Sequence, residues 1–368
     1  MRKFSIETLL LSVFIILSPF YFFRSGIPQI ADFVGAAMIG FLLVKDRFSF
    51  RLKTGNPLFF LLLFVIWTII VDLIWAMILG DLSIIIFPIY YLYDFLLVYV
   101  LYVLYKSGKD ISFVIFKSVG YSLIIQTLLS PLVVDFSKFR QTLFFNNPNQ
   151  LGYFAICSLT IFLYVSNYHK ANKTFLTLAT ISGVYLVLLS LSNAAMLSTF
   201  LLLVIHFFNS IKKSIKYIPL ILAIMFLLAT VGVNNSTIST IVKNVQIRLM
   251  NVAYDSDSNL EMRGYDRIVL HPEYWFFGGG EGNWERFGSV LKGEIHSSWF
   301  TIFFSYGVIG VLMFLSFFLN VFKYKKNLFY FIPVFFYGLT HQGLRSTDLW
   351  ILFLLFVLYS EKRGFKLS

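Results

Sequence analysis

The stretch LFFLLLFVIWTIIVDLIWAMIL occupies residues 58–79 and carries one charged side chain, Asp72. Because a helix rises about 1.5 Å per residue, a run of this length crosses the roughly 30 Å hydrocarbon core of a bilayer. Polar and apolar residues do not alternate along it, which argues against a strand of a transmembrane barrel. The stretch therefore predicts a membrane-spanning helix.

Similar apolar runs follow one another along the chain. Of 368 residues, 58% are hydrophobic and 13% are charged, against roughly 25% charged in soluble domains. The predicted fold class is an all-α polytopic membrane protein, with about twelve transmembrane helices and one large external loop that contains short helices. The expected spans lie near residues 5–23, 27–44, 58–79, 83–105, 111–133, 149–166, 174–191, 194–209, 216–233, 298–320, 328–342 and 348–360.

The basic residues predict the orientation. Most of the 30 Lys and Arg side chains fall in alternate connecting segments and at both chain ends, as the positive-inside rule describes for the cytoplasmic face. This distribution accounts for the net charge of +12 without a nucleic-acid partner. We expect cytoplasmic termini, with helices 1–9 in residues 1–233, an external loop in 234–297 and helices 10–12 in 298–368. The first apolar run has no Ala-x-Ala site after it, so it is predicted as an uncleaved helix.

Arginines on the external side oppose this bias and need another explanation. They include Arg140, Arg345 and a pair in the long loop, Arg263 and Arg267. The pattern of Leu260–Leu270 predicts a helix that would place this pair at i and i+4 on one side. A bound diphosphate would turn their mutual repulsion into attraction, because guanidinium matches phosphate bidentately. The alternative is that nearby carboxylates and solvent satisfy both side chains. A second helical pattern, at 238–250, predicts a helix along the membrane surface.

The rest of the loop contains two further candidates. The run HPEYW begins at His271 and is followed by GGGEG at 278–282, which fits neither a P-loop nor a dinucleotide fingerprint and is more typical of a turn. The run HSSW begins at His296, at the start of the next span. A histidine there can act as a general base or donate a hydrogen bond to phosphate. The alternative is an ordinary interfacial histidine beside an interfacial tryptophan.

Two external corners complete the set of candidates. The run NNPNQ at 146–150 predicts a helix that begins at Pro148, is capped by Asn147 and points its N-terminus outward, where an anion can be held. The run HQGLR at 341–345 connects the last two spans.

Acidic residues inside predicted spans are functional candidates by default. Asp32, Asp72 and Asp94 are the best support for a proton-coupled transporter, whereas Glu7 lies near a span end. The chain has no HExxH, no CxxC and no carboxylate cluster with metal spacing, so we predict no bound metal and no cofactor. The single cysteine, Cys157, is expected to serve packing.

The order and spacing of these motifs resemble the O-antigen polymerase and O-antigen ligase superfamily of membrane enzymes. The matching runs are RQTLFFNNPNQLG (140–152), the loop with Arg263 and its glycine cluster, HSSW (296–299) and SYGVIG (305–310). The family often has Ser-Arg between the spans equivalent to 174–209, and this chain has SLSNA at 190–194 instead. Either Arg140 or Arg345 substitutes for that arginine, or the phosphate site is built differently.

The resemblance implies a transferase that joins glycans carried on undecaprenyl diphosphate at the outer face of a bacterial inner membrane, with the apolar spans around the polyprenyl chain. It implies His296 and Arg263 as catalytic residues. The implied diphosphate ligands are Arg263 and Arg267, with Arg140 and Arg345 as secondary candidates. The implied substrate-binding residues are Asn149, His271, Glu281 and His341.

The resemblance leaves alternatives. A repeat-unit polymerase is the leading interpretation, with a chain-length regulator as an expected protein partner besides the lipid bilayer. A ligase that moves the glycan to lipid A–core needs the same site; the short chain and the missing Ser-Arg favour the polymerase. A flippase or proton-coupled transporter is the alternative from another class, and it predicts charged residues that converge within the membrane.

Overall fold

The computed structural model describes residues 5–45, 52–135, 137–209, 247 and 260–364, and every regular element in those residues is helical. Eleven of the helices in these residues form the described part of the bundle. They are α1 Ile6–Leu17, α2 Ile30–Lys45, α3 Pro57–Leu79, α4 Ile86–Lys106, α5 Ile111–Leu129, α6 Pro148–Ser166, α7 Lys173–Ser190, α8 Asn193–Asn209, α9 Ser298–Val321, α10 Lys325–Gly338 and α11 Thr347–Gly364. Short helices occupy Leu82–Ile85, Ser130–Leu132, Glu261–Arg263, Asp266–Leu270, Pro272–Tyr274 and Trp284–Phe287.

The protein is a helical, multi-pass membrane protein. Within the described residues, six helices are long and apolar enough to cross a membrane: α3, Leu82–Lys106, Ile111–Leu132, α6, α7 and α9. Helices α1 and α8 are shorter but apolar. All expected spans except one coincide with α1–α11. That exception, 216–233, and the surface helix expected at 238–250 lie outside the described residues, so the count of twelve crossings stays a prediction.

Local sequence signals explain where the helices begin. Pro57 and Pro148 occupy the first turns of α3 and α6, where a missing backbone N–H is no loss. The side chain of Asn56 accepts a hydrogen bond from the Leu58 backbone N–H, and Asn147 accepts one from that of Gln150, both at 2.9 Å. The predicted capping of α6 by Asn147 is therefore confirmed.

Helices α6 and α11 form the centre of the bundle. Nearly all of α6 is buried, and so is the stretch Leu349–Tyr359 of α11. A helix that is apolar on every side is expected in such a position. The outer helices pack around this centre, with α3 against α9, α5 against α7 and α8 against α10. Cys157 lies in α6 and is fully buried, as expected of a packing residue.

The bundle has two chemically different ends. At one end Glu7, which is 3% exposed, forms ion pairs with Lys45 at 2.6 Å and Lys109 at 2.8 Å. Glu7 thus serves an ion-pair network at a span end. The other end carries the described part of the long loop, residues 260–297, and we call it the loop end.

Helix α9 is broken at Gly307, where φ is 64° and ψ is −173°. The loop crosses the helix at this break. The backbone N–H groups of Gly279 and Gly280 donate to the carbonyls of Phe304 and Ser305, and Val308 N–H donates to the Trp275 carbonyl, each at 2.8 Å. Irregular backbone at membrane depth is tolerated where other protein groups satisfy it. The loop therefore supplies the hydrogen bonds that the broken helix lacks.

Candidate functional site

A cavity of about 720 Å³ lies at the loop end of the bundle. Side chains from α1, α2, α4, α6 and α11, the corner between α10 and α11, and the loop line it. Four of the residues that the resemblance implies for the site are among them: Asn149, His296, His341 and Arg345. The structure thus brings together side chains that are far apart in the chain.

Arg140 contacts Asn149, which lies in the first turn of α6. Its Nη2 donates to Asn149 Oδ1 at 2.6 Å, and its Nε donates to the Ser190 carbonyl at 3.0 Å. The backbone carbonyl of Asn149 accepts a hydrogen bond from the Tyr337 hydroxyl at 2.8 Å. Arg140 is therefore held between the start of α6 and the end of α7, and it orients a polar side chain that lines the cavity.

His341 lies at the corner between α10 and α11. Its ring stacks on Tyr337 with a centroid distance of 4.6 Å, and its Nδ1 lies 2.9 Å from Thr340 Oγ1. Burial, together with the charges of Arg263, His296 and Arg140, lowers the pKa of His341 to about 3. His341 is thus neutral at physiological pH and lies close to three cationic or ionisable groups.

The loop is fastened to this corner through Arg263 and His296. Arg263 Nη1 donates to the Thr340 carbonyl at 2.8 Å, and the His296 backbone N–H donates to the Arg263 carbonyl at 3.0 Å. The Tyr265 hydroxyl lies 3.1 Å from the His296 carbonyl and 2.5 Å from that of Leu339. Five predicted residues therefore form one cluster, which we call the mouth: Arg140, Asn149, Arg263, His296 and His341.

The continuous helix predicted over 260–270 is wrong. A 3-10 turn at Glu261–Arg263 ends at Gly264, whose φ of 72° is left-handed, and a separate short helix begins at Asp266. Glycine adopts this conformation without the steric penalty of a side chain. Arg263 and Arg267 consequently do not share a helix face, and the expected arginine pair at i and i+4 does not form.

Arg267 points into the loop and away from the cavity. Its side chain is 0% exposed, its Nη2 donates to the Leu291 carbonyl, and its guanidinium lies 5.7 Å and 5.6 Å from the ring centroids of Trp284 and Phe287. Burial lowers the pKa of Arg267. The expectation that Arg267 holds an external anion beside Arg263 is not met in this arrangement.

His271 and Glu281 also lie apart from the mouth. His271 contacts Glu273 Oε1 and the Phe287 carbonyl, both at 2.9 Å, within the loop itself. Glu281 is 0% exposed and accepts hydrogen bonds from the hydroxyls of Tyr91 and Tyr306. The backbone N–H of Glu281 donates to Asp72 Oδ1 at 2.9 Å. The glycine cluster is therefore a segment inserted between α3, α4 and α9 and is more than a surface turn.

Arg345 connects the two regions. It lines the cavity and forms an ion pair with Glu294, another lining residue, while its Nε lies 3.9 Å from the buried Glu281 Oε2. Both partners are acidic, so an anion would have to compete with them for Arg345. Its primary role in this arrangement is to join the cavity wall to the inserted glycine segment.

The sequence interpretation missed several residues at this end. Asp348 lies in the first turn of α11 and lines the cavity together with Asp32 and Asp94. An acid at the start of an apolar run is a signal that could have identified it. Arg286 was also missed: it donates to the Gly279 carbonyl and lies over the ring of Trp75, and burial lowers its pKa to about 10.

In the described part of the chain, no group of three or more His, Cys, Asp or Glu side chains is arranged to hold a metal ion. Comparison with known protein families finds no family model that matches this chain, and comparison with curated proteins finds no match either.

Proposed function

We propose that this chain polymerises oligosaccharide repeat units carried on undecaprenyl diphosphate, by inverting glycosyl transfer at the outer face of a bacterial inner membrane. The observation that carries the proposal is the mouth: Asn149, His296 and His341 line one cavity, Arg140 donates to Asn149, and Arg263 donates to the carbonyl next to His341. These residues come from three separate segments of the chain. They are also the residues that the resemblance to O-antigen polymerases and ligases implicates.

The mouth offers the charge that a leaving diphosphate requires. Arg140 and Arg263 act electrostatically on His341, so two guanidinium groups flank the same point. The N-terminus of α6, whose first turn contains Asn149, adds the positive end of a helix dipole. Arg140 touches the Ser190 carbonyl, close to the position where the family often has Ser-Arg. This contact supports Arg140 as the residue that substitutes for the missing arginine.

The proposed step is a single displacement. A hydroxyl oxygen of the acceptor sugar attacks the anomeric carbon of the donor and forms the new C–O bond. The bond from that carbon to the diphosphate oxygen breaks, with inversion, and undecaprenyl diphosphate leaves with the electron pair. His296 accepts the hydroxyl proton as the general base. His341 is a weak base, because its pKa is lowered to about 3, and it serves to hydrogen-bond the substrate.

The cavity wall also supports a lipid-linked substrate. Ile27, Phe33 and Ile89 line the cavity, and each side chain is more than half exposed. In a membrane, such side chains face lipid. A polyprenyl chain can lie against them while its diphosphate reaches the mouth. The proposal also includes twelve membrane crossings, cytoplasmic termini and a chain-length regulator as a protein partner.

Deletion of the gene in its host tests the proposal, with surface polysaccharide analysed on a gel. If the host makes lipopolysaccharide, we expect core that carries a single repeat unit and loss of the ladder. Bare core, with polymer accumulating on undecaprenyl diphosphate, would instead identify a ligase. An unchanged ladder would reject both enzymes. Complementation with Arg140→Ala should fail, whereas Lys138→Ala, which removes an exposed lysine paired with Asp135, should restore the ladder.

A proton-coupled transporter is the second candidate, because Asp32, Asp94 and Asp348 line the same cavity and α9 is broken at Gly307. Broken helices and intramembrane acids are features of transporter sites. Liposomes that contain the purified chain and a trapped pH indicator separate the two functions. A transporter moves protons when a glycolipid substrate is added and loses this flux in Asp94→Asn, whereas the polymerase produces no flux.

A further inference from the structure

Three carboxylates line the cavity together, and we call them the acidic chamber: Asp32, Asp94 and Asp348. Asp32 and Asp348 lie in the first turns of α2 and α11, and Asp94 lies two turns into α4. Both Asp32 and Asp348 act electrostatically on Asp94. The chamber shares its cavity with the mouth, so one ligand can reach both.

Asp94 leaves one oxygen available to a ligand. Its side chain is 1% exposed, and its Oδ1 accepts a hydrogen bond from Thr347 Oγ1 at 2.8 Å. Its Oδ2 is buried and has no hydrogen-bond partner. Buried polar atoms are almost always paired, so an unpaired carboxylate oxygen in a cavity wall indicates a missing partner.

The described residues place no ion-paired counter-charge in the chamber. Among the ion pairs that the described residues form, none includes Asp32, Asp94 or Asp348. The arginine that lines the same cavity, Arg345, is paired with Glu294. Neighbouring carboxylates in a partly dehydrated cavity repel one another, and a bound cation removes that cost. A protonated amine supplies such a charge together with N–H donors for the unpaired Asp94 oxygen.

We propose that the acidic chamber binds a protonated amine on the substrate. The cavity then has a positive mouth and a negative chamber, which complements a ligand with a phosphate at one end and an ammonium group at the other. Tyr21, Tyr93 and Phe145 also line it, and aromatic faces suit the apolar face of a sugar ring. The ligand class that satisfies all three features is a diphosphate-linked amino sugar with a free, unacetylated amine.

This inference rests on the proposed function only for the identity of the ligand as a glycan. The test uses the full chain in detergent micelles and three probes: methyl glucosaminide, methyl N-acetylglucosaminide and inorganic pyrophosphate. Binding is followed by ligand-observed NMR titration. We expect methyl glucosaminide to bind at least about 10-fold more tightly than its N-acetylated form, because only the free amine is charged.

Two variants and one control locate the effect. Asp94→Asn and Asp348→Asn should each remove this preference while pyrophosphate still binds, which also shows that the variants are folded. Asp135→Asn changes an exposed carboxylate outside the cavity and should leave the preference intact. Equal binding of the two sugars by the wild-type chain would overturn the inference, as would a preference that both chamber variants retain. Failure of pyrophosphate to bind the wild-type chain would instead count against the mouth and the proposed function.

Discussion

The loop end uses arginine in two opposite ways. In the mouth, Arg263 is partly exposed and acts on His341 at the cavity. Four residues further along the chain, Arg267 is buried among aromatic rings and carries two guanidinium nitrogens without a hydrogen-bond partner. Arg286 lies in similar surroundings. A positive charge in the long loop therefore does not identify an anion site by itself; the guanidinium must also lie beside a cavity, as that of Arg263 does next to Thr340 and His341.

The largest expected effect separates these two arginines directly. Arg263→Met should reduce polymer formation by roughly 100-fold, because it removes charge stabilisation of the leaving diphosphate. Arg267→Met should leave the rate within about 2-fold, since methionine keeps the packing while removing a charge that is poorly paired. Rates of polymer formation by the purified variants check this prediction. Equal losses in both variants would contradict the distinction between Arg263 in the mouth and Arg267 buried within the loop.

The next effect concerns the docking of the loop on α9. An alanine at Gly307 would require a left-handed φ of 64° and would push its Cβ into the Phe276 carbonyl. We expect Gly307→Ala to lower the free energy of unfolding by roughly 2–4 kcal/mol. Gly40→Ala is the control, because Gly40 is helical and its added Cβ meets open space. Thermal unfolding of both variants in micelles measures the difference, and equal midpoints would contradict the role of the break.

A smaller effect is expected at the tryptophans that hold the inserted segment. Trp75 Nε1 donates to the Gly278 carbonyl at 3.0 Å in a partly buried position. Trp75→Phe leaves that carbonyl unsatisfied and should cost about 1–2 kcal/mol of stability. Trp275 Nε1 makes a similar bond, to the Ile268 carbonyl at 2.7 Å, but at an exposed position. Trp275→Phe should cost less, because water replaces the donor. A larger loss for Trp275→Phe would contradict the described burial.

The smallest effect is the pH dependence of His341. In the unfolded chain a histidine has a pKa of about 6.5, whereas in the folded chain burial lowers that of His341 to about 3. As the pH falls below about 6.5, the unfolded state binds a proton that the folded state does not, so stability is lost. Between pH 7 and pH 5.5 this loss amounts to about 1 kcal/mol. His341→Gln should flatten this part of the stability profile, measured by thermal unfolding, and an unchanged slope would contradict the assignment.

The contrast between Arg263 and Arg267 also shows which features of the structure the sequence can predict. The positions of the helices follow from the lengths of the apolar runs. The start of α6 follows from Asn147 and Pro148, because capping acts within a few residues. The sequence order of the motifs also predicted that Asn149, Arg263, His296 and His341 share one end of the bundle, where the structure places them. Such features depend on local chemistry and on alternating crossings of the bilayer.

Other features depend on contacts between distant segments. Gly264 interrupts a stretch whose pattern predicted one helix, and this interruption turns Arg267 inward. The role of the glycine cluster became visible only from its backbone bonds to Phe304 and Ser305. A repeating pattern of residue types cannot specify which distant carbonyl a loop N–H will meet. Asp348 was missed because it becomes notable only next to Asp32 and Asp94.

The most direct test of the central claim is a reconstitution. The purified chain is incubated in micelles with undecaprenyl-diphosphate-linked repeat units, and the products are separated by size. We expect a ladder of joined repeat units, release of undecaprenyl diphosphate, and loss of both with Arg263→Met. Donor that remains unchanged with the wild-type chain, or a ladder that Arg263→Met forms at the wild-type rate, would contradict the claim that the mouth is a glycan-transfer site.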